Sequence, residues 1–107
     1  MSRQHPIDFV NPTFHEGLNI TVRHGDKWAR TASIGDVLQI EGHAGRITAP
    51  ITGLLRCLLD EIPEGLLALE HDAEARSRDG LRRILDEIYG PTEDGRRDVT
   101  VIFFSIA

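Results

Sequence analysis

Lys27 is the single lysine of a chain that otherwise carries eleven arginines, and it stands beside the single tryptophan in the segment Arg23-His-Gly-Asp-Lys-Trp-Ala-Arg-Thr31. A guanidinium stays protonated, whereas an ammonium can be driven toward neutrality by burial, so Lys27 is the cation suited to act as a base. Trp28 offers either a platform on which a nucleobase could stack or an indole that closes a core. A second group of cations, Arg76, Arg78, Arg82 and Arg83, crowds the start of a helix whose end carries Asp86 and Glu87. That order opposes the helix dipole. It fits either phosphate capture at the free helix amides or a solvated face in which Asp79 pairs with Arg83, and Arg82 and Arg83 with Asp86 and Glu87.

Other reactive types are sparse. His5, His15, His24, His43 and His71 have no metal-ligand spacing, and the chain has no phosphate loop, dinucleotide fingerprint or nucleophile elbow, so neither a metal nor a cofactor is expected. His24 and His71 stand out only because they adjoin Gly25 and approach Glu74. Cys57 is alone in Gly53-Leu-Leu-Arg-Cys-Leu-Leu59, which excludes a disulfide framework and reads as a small buried thiol.

At 107 residues the chain suffices for one core. Its formal charge of −5 argues against bulk electrostatic gripping of long nucleic acid. No apolar run approaches the roughly 20 residues of a membrane span. The polar N-terminus has no signal core, so a cytoplasmic location is expected.

The elements that must position these residues follow from periodicity. Residues 1–13, with Pro6, Asn11 and Pro12, read as an arm packed by Ile7, Phe9 and Val10, ahead of a domain over 14–107. Leu18, Ile20 and Val22 alternate with Asn19, Thr21 and Arg23 as in a half-buried strand that Gly25 ends. Lys27 to Ser33 suits a short helical turn. Val37–Glu41 and the stretches 46–49 and 51–57 suit strands, with Pro50 and Gly53 marking a bulge or bend. Pro63 opens roughly two turns of helix whose apolar side is Leu66, Leu67 and Leu69. Leu81, Ile84, Leu85 and Ile88 recur at i, i+3, i+4 and i+7, with Ser77 or Asp79 able to cap the start and Gly90-Pro91 ending it. The final run, Asp98 to Ile106, is apolar on both faces and belongs inside a sheet. The sum is an α+β domain: a small bent β-barrel of about five to six strands, with two helices inserted before the last strand.

Gly25-Asp-Lys27, Gly35-Asp-Val-Leu, the Ile62-Pro-Glu-Gly helix, Glu74, the Leu81–Tyr89 helix and the terminal strand, in that order, resemble the ASCH domain family of the PUA-like superfamily over about residues 14–107. The resemblance implies an RNA-associated module. In one branch it implies an amidohydrolase that deacylates N4-acetylcytidine with a lysine, a threonine and a glutamate. Lys27 would be the lysine and Glu74 the glutamate. The family pattern Gly-x-Lys-x-x-Thr-x-Arg puts threonine three residues after the lysine, where this chain has Arg30, with Thr31 one place on. In that scheme Lys27 activates Thr31 or water, Glu74 passes the proton to the leaving nitrogen and Arg30 holds the oxyanion. Trp28, His24, His71, Arg76, Arg78, Arg82 and Arg83 would bind the RNA or nucleoside. The alternatives are a module that binds RNA without turnover, a small ribonuclease using Lys27 with His24 or His71, and a small interaction protein. A further possibility is that Lys27 and Glu74 form only a structural ion pair.

Overall fold

The computed structural model describes residues 3–9, 13–42, 45–92, 94 and 96–107. Val10, Asn11, Pro12 and His43 of the foregoing readings lie outside this set. Five strands, β1 (Gln4–Ile7), β2 (Gly17–His24), β3 (Val37–Gly42), β4 (Gly45–Leu58) and β5 (Asp98–Ile106), form one sheet in the order β1-β3-β4-β5-β2. Among the described residues β1 and β2 are its outermost strands and do not pair with each other, so the sheet is open. The helices are α1 (Lys27–Thr31), α2 (Glu64–Leu67) and α3 (Arg78–Tyr89).

The interior position of the last strand holds. β5 pairs antiparallel with β2 on one side and with the second half of β4 on the other. The first half of β4 pairs with β3. A register shift between Ile51 and Gly53 marks the change of partner, at the bend that Pro50 and Gly53 signal. Phe103 lies close over this glycine: a Cβ on residue 53 would stand 3.0 Å from the Phe103 ring, so a side chain there would press on the ring.

Each face of the sheet carries a core. Ile20, Val22, Val99 and Val101 pack against Leu59, Ile62, Leu67, Leu81 and Leu85 in the helical layer. Burying each such side chain stabilises the fold by roughly 1.5–3 kcal/mol. The other face gathers Ile7, Ala32, Leu38, Ile40, Ala49, Ile51, Ile102 and Phe104, with Phe9, Phe14 and Trp28 half-buried against them. The periodic stripe of α3 meets the sheet through Leu81, Ile84 and Leu85, whereas Ile88 remains 50% exposed. Ser77 caps this helix by accepting a hydrogen bond from the Gly80 amide at 3.1 Å, and Gly90 follows its last residue.

Three expectations are corrected. The N-terminal arm contains a strand, β1, parallel to β3 with Gln4 opposite Val37 and Ile7 opposite Ile40. Four residues are too few to show a period, and an edge strand accepts Pro6. Strand β2 is not half-buried with its polar face outward: Asn19 and Thr21 are buried, while Leu18 is 41% exposed. Phe9 and Phe14 pack on the Phe104 ring on that face, and Asn19 is satisfied locally through Nδ2 to the His15 carbonyl at 2.7 Å and the Gly17 carbonyl at 3.1 Å. The α2 helix is one turn rather than two, because Ala68 and Leu69 turn the chain back onto β2.

Candidate functional site

Residues 69–71 lie along the outer edge of β2. The Ile20 amide donates to the Leu69 carbonyl at 2.9 Å and the His71 amide to the Ile20 carbonyl at 3.1 Å. This two-bond clamp fixes Glu70 between them and leaves it only 2% exposed. The Glu70 Oε1 atom pairs with Nδ1 of His71, and Oε2 has no hydrogen-bond partner among the described residues. A buried carboxyl oxygen without a hydrogen bond costs more than most polar groups.

Glu70 lines a cavity of about 310 Å³ between β2, the 69–75 segment and α3. That volume lies at the lower end of the roughly 300–1,000 Å³ typical of small-molecule sites. Val22, Leu81, Ile84 and Leu85 supply apolar surface, and Asp8, Thr21, Arg23, His71 and Tyr89 supply polar groups. The Arg23 guanidinium sits 4.7 Å from the centre of the Phe9 ring, and its Nε donates to Thr21 Oγ1 at 3.1 Å. Its other two nitrogens have no protein partner among the described residues. Burial pushes the Arg23 pKa below its ordinary value, against the opposing pull of Tyr89, Glu70 and Asp8. It nevertheless remains a cation.

Tyr89 is backed from behind. Its ring stacks on His24 with centroids 4.7 Å apart and planes 24° from parallel. His24 is held in turn by the buried Arg97, which donates to His24 Nδ1 at 2.9 Å, to Asp86 Oδ1 at 2.9 Å and to the Gly90 carbonyl. Accepting a guanidinium N–H fixes His24 in the tautomer protonated on Nε2.

The structure does not bring Lys27, Thr31 and Glu74 together. Lys27 is exposed at the start of α1, and the Thr31 hydroxyl donates to the Lys27 carbonyl at 2.8 Å rather than meeting its amine. Helix α1 joins the core on one face of the sheet through Trp28 and Ala32. Glu74, also exposed, lies in a 3₁₀ turn that joins the core on the other face through Ala75. No Lys27–Glu74 ion pair forms. Arg30 pairs with Asp26 at 3.1 Å. Trp28 packs edge-on to His5, ring centres 5.7 Å apart, against the core.

The arginine cluster is mostly engaged by its own fold. Arg76 donates to the Glu70 carbonyl at 2.9 Å, Arg78 to the Ile62 carbonyl at 2.6 Å, and Arg82 pairs with Asp60. Arg83 lies beside Glu74 and Glu87. The expected i,i+4 pairs do not form; for Arg82 and Asp86 the reason is that Asp86 is taken by Arg97 and Arg82 by Asp60. Cys57 is half-buried, and burial, with Glu61 and Asp98 nearby, pushes its thiol pKa up, away from the reactive thiolate. Among the described residues no group of three or more His, Cys, Asp or Glu side chains converges as a metal site.

Of the residues singled out from sequence, only His71 and, indirectly, His24 belong to this cavity. Arg23, Thr21, Glu70, Tyr89 and Arg97 went unrecognised. One signal was legible: an arginine and a threonine two apart on β2, on the face opposite Ile20 and Val22.

No protein-family model, no curated protein and no solved structure matches the chain. Among the described residues no helix is long and apolar enough to cross a membrane.

Proposed function

We propose that this chain is an ASCH-like domain, its open five-stranded sheet a relative of the PUA-like barrel, which recognises a nucleobase of RNA or of a free nucleoside in the Glu70–Arg23 cavity. The observation that carries the reading is the cavity of about 310 Å³ itself, where an apolar lining from Val22, Leu81 and Leu85 meets the polar side chains of Arg23, His71 and the half-exposed Tyr89. A carboxylate reads donor groups on a base edge, and guanidinium planes and aromatic rings stack on base faces. Tyr89, held by His24, provides such a ring.

The family pattern supports binding over hydrolysis when it is laid on β2. Its Thr-x-Arg ending coincides with Thr21-Val-Arg23, and Leu18 then stands where the lysine belongs. A leucine offers no amine, and the actual lysine is exposed on α1. The deacylase reading therefore has no lysine at this cavity. The ribonuclease reading finds His24 occupied by Arg97 and Tyr89.

Titration of the protein with nucleosides and with short single-stranded RNA, followed by amide shifts of Thr21, His71 and Tyr89, tests the proposal. Saturable shifts that disappear in Arg23→Ala and persist in Lys27→Ala are expected. Silence of all three residues at millimolar ligand would end it.

A further inference from the structure

We infer that Arg23 selects the base, preferring one that presents two hydrogen-bond acceptors side by side on one edge. Guanine does so with O6 and N7, and cytosine with N3 and O2. In adenine and uracil every acceptor neighbours a donor, a C–H or the sugar. This rests on the nucleobase reading above and narrows it.

The guanidinium stands in the cavity. Its surroundings are the Phe9 ring at 4.7 Å, the Thr21 hydroxyl at 3.1 Å, and Tyr89, Glu70 and Asp8 acting on its charge, and all five residues line that space. Of the five N–H bonds of a guanidinium, the one on Nε is spent on Thr21, which leaves the end-on pair of Nη atoms. Neither Nη meets an acceptor among the described residues. The only side-chain nitrogen and oxygen atoms of those residues that are both sealed from water and unpartnered are Glu70 Oε2 and Arg78 Nε, so the two Arg23 Nη atoms are open to solvent. The Phe9 ring and the Thr21 bond hold the plane of this fork before a ligand arrives.

A fixed fork with two free nitrogens is satisfied by two acceptors lying side by side. A donor in either place sets hydrogen against hydrogen, and leaves a guanidinium N–H unpaired once the ligand has displaced water. Sites that hydrogen-bond a ligand group discriminate more strongly than sites that sense shape alone. A phosphate also offers paired acceptors. However, Asp8 and Asp72 line the same cavity and Arg23 is its only arginine or lysine, so a phosphate would meet like charge on a chain whose net charge is −5. A neutral base edge meets no such repulsion.

Affinities of guanosine, cytidine, adenosine and uridine, measured by calorimetry or by amide shifts, test the inference. The tighter-binding of guanosine and cytidine should exceed both adenosine and uridine by at least about fivefold. Its deaza analogue, 7-deazaguanosine or 3-deazacytidine, lacks one acceptor of the pair and should fall to the level of adenosine, which identifies the edge being read. Arg23→Lys keeps the charge but removes the fork, and should bring the four nucleosides to similar affinity. Where that variant fails to fold, the wild-type Arg23 guanidinium nitrogen resonances serve instead: they should shift with the preferred nucleoside and stay fixed with adenosine. Adenosine or uridine binding as tightly as the better of the other two overturns the selection by Arg23, as does an unweakened deaza analogue or a preference retained in Arg23→Lys. Inorganic phosphate displacing the preferred nucleoside at equal or lower concentration makes the fork an anion site and overturns it too. The nucleobase reading survives each of these results and fails only if no nucleoside or RNA binds.

Discussion

Arg97 and His24, 73 positions apart in sequence, are joined by a 2.9 Å hydrogen bond, and that bond holds the Tyr89 ring in place. The arginine brings the segment before β5 against the end of α3, where Asp86 and the Gly90 carbonyl both accept from its Nη2. It is the deepest cation of the described residues, at 3% exposure.

Replacing Arg97 with methionine keeps much of the volume and removes every donor. We expect a loss of about 1–3 kcal/mol in unfolding free energy by urea titration, from the lost hydrogen bonds of a buried guanidinium, since Asp86 is left 37% exposed and can be solvated. The ring resonances of Tyr89, the only tyrosine, should shift as well. A stability change below about 1 kcal/mol would show that Arg97 does not organise this corner.

Gly80 marks the closest approach in the helical layer. A Cβ there would stand 2.1 Å from the Glu74 carbonyl oxygen, and that oxygen is backbone. Elsewhere in a helix Gly→Ala is stabilising by about 1 kcal/mol. Gly80→Ala should instead destabilise, by about 1–3 kcal/mol, as overpacking does. It should also disturb the 70–75 segment that carries Glu70, visible as amide-shift changes at His71.

Asp36 predicts an acid-labile contact between the N-terminal strand and the body. His5 Nε2 at 2.8 Å, and the amides of Arg3 at 3.1 Å and Ser33 at 3.0 Å, hold its carboxylate. The His5 hydrogen bond is the largest of these influences, and together they lower the pKa from 3.8 to about 2. Because the folded value lies below the unfolded one, the contribution is complete above pH 3.8 and fades as pH falls toward about 2. Wild type should lose melting temperature over that window more steeply than Asp36→Asn. Parallel curves for the two proteins would refute the assignment.

Lys27→Ala should leave nucleoside affinity and melting temperature within error of wild type, since the side chain is exposed and joins no ion pair among the described residues. A tenfold loss of affinity would bring the amine back to the site.

The parts of the fold that were legible in sequence are those with enough residues to display a period. The Leu81, Ile84 and Leu85 stripe, the apolar Val99–Phe104 run and the Pro50–Gly53 break each stated their role. Strand β1 was hidden by brevity, and the burial of Asn19 and Thr21 depends on Phe9 and Phe14 folding over from outside β2. The cavity was harder to foresee for a different reason. Glu70 is an unremarkable glutamate until the Leu69–His71 clamp on Ile20 turns it inward, and no local pattern announces a pairing across fifty residues. Rarity drew attention to Lys27 and Trp28, but rarity speaks of composition, whereas function here depends on what is enclosed.

Strand β4 gives its first half to β3 and its second half to β5, so one unbroken run of backbone serves both cores. Neither core can be completed by a fragment that stops at the Ile51–Gly53 shift. A nick there would strip each piece of a neighbour, whereas a cut between 90 and 97 would keep the β1–β3 and β3–β4 pairings within one piece. The molecule should therefore melt in a single cooperative step, with no stable half-folded species on either side of that bend.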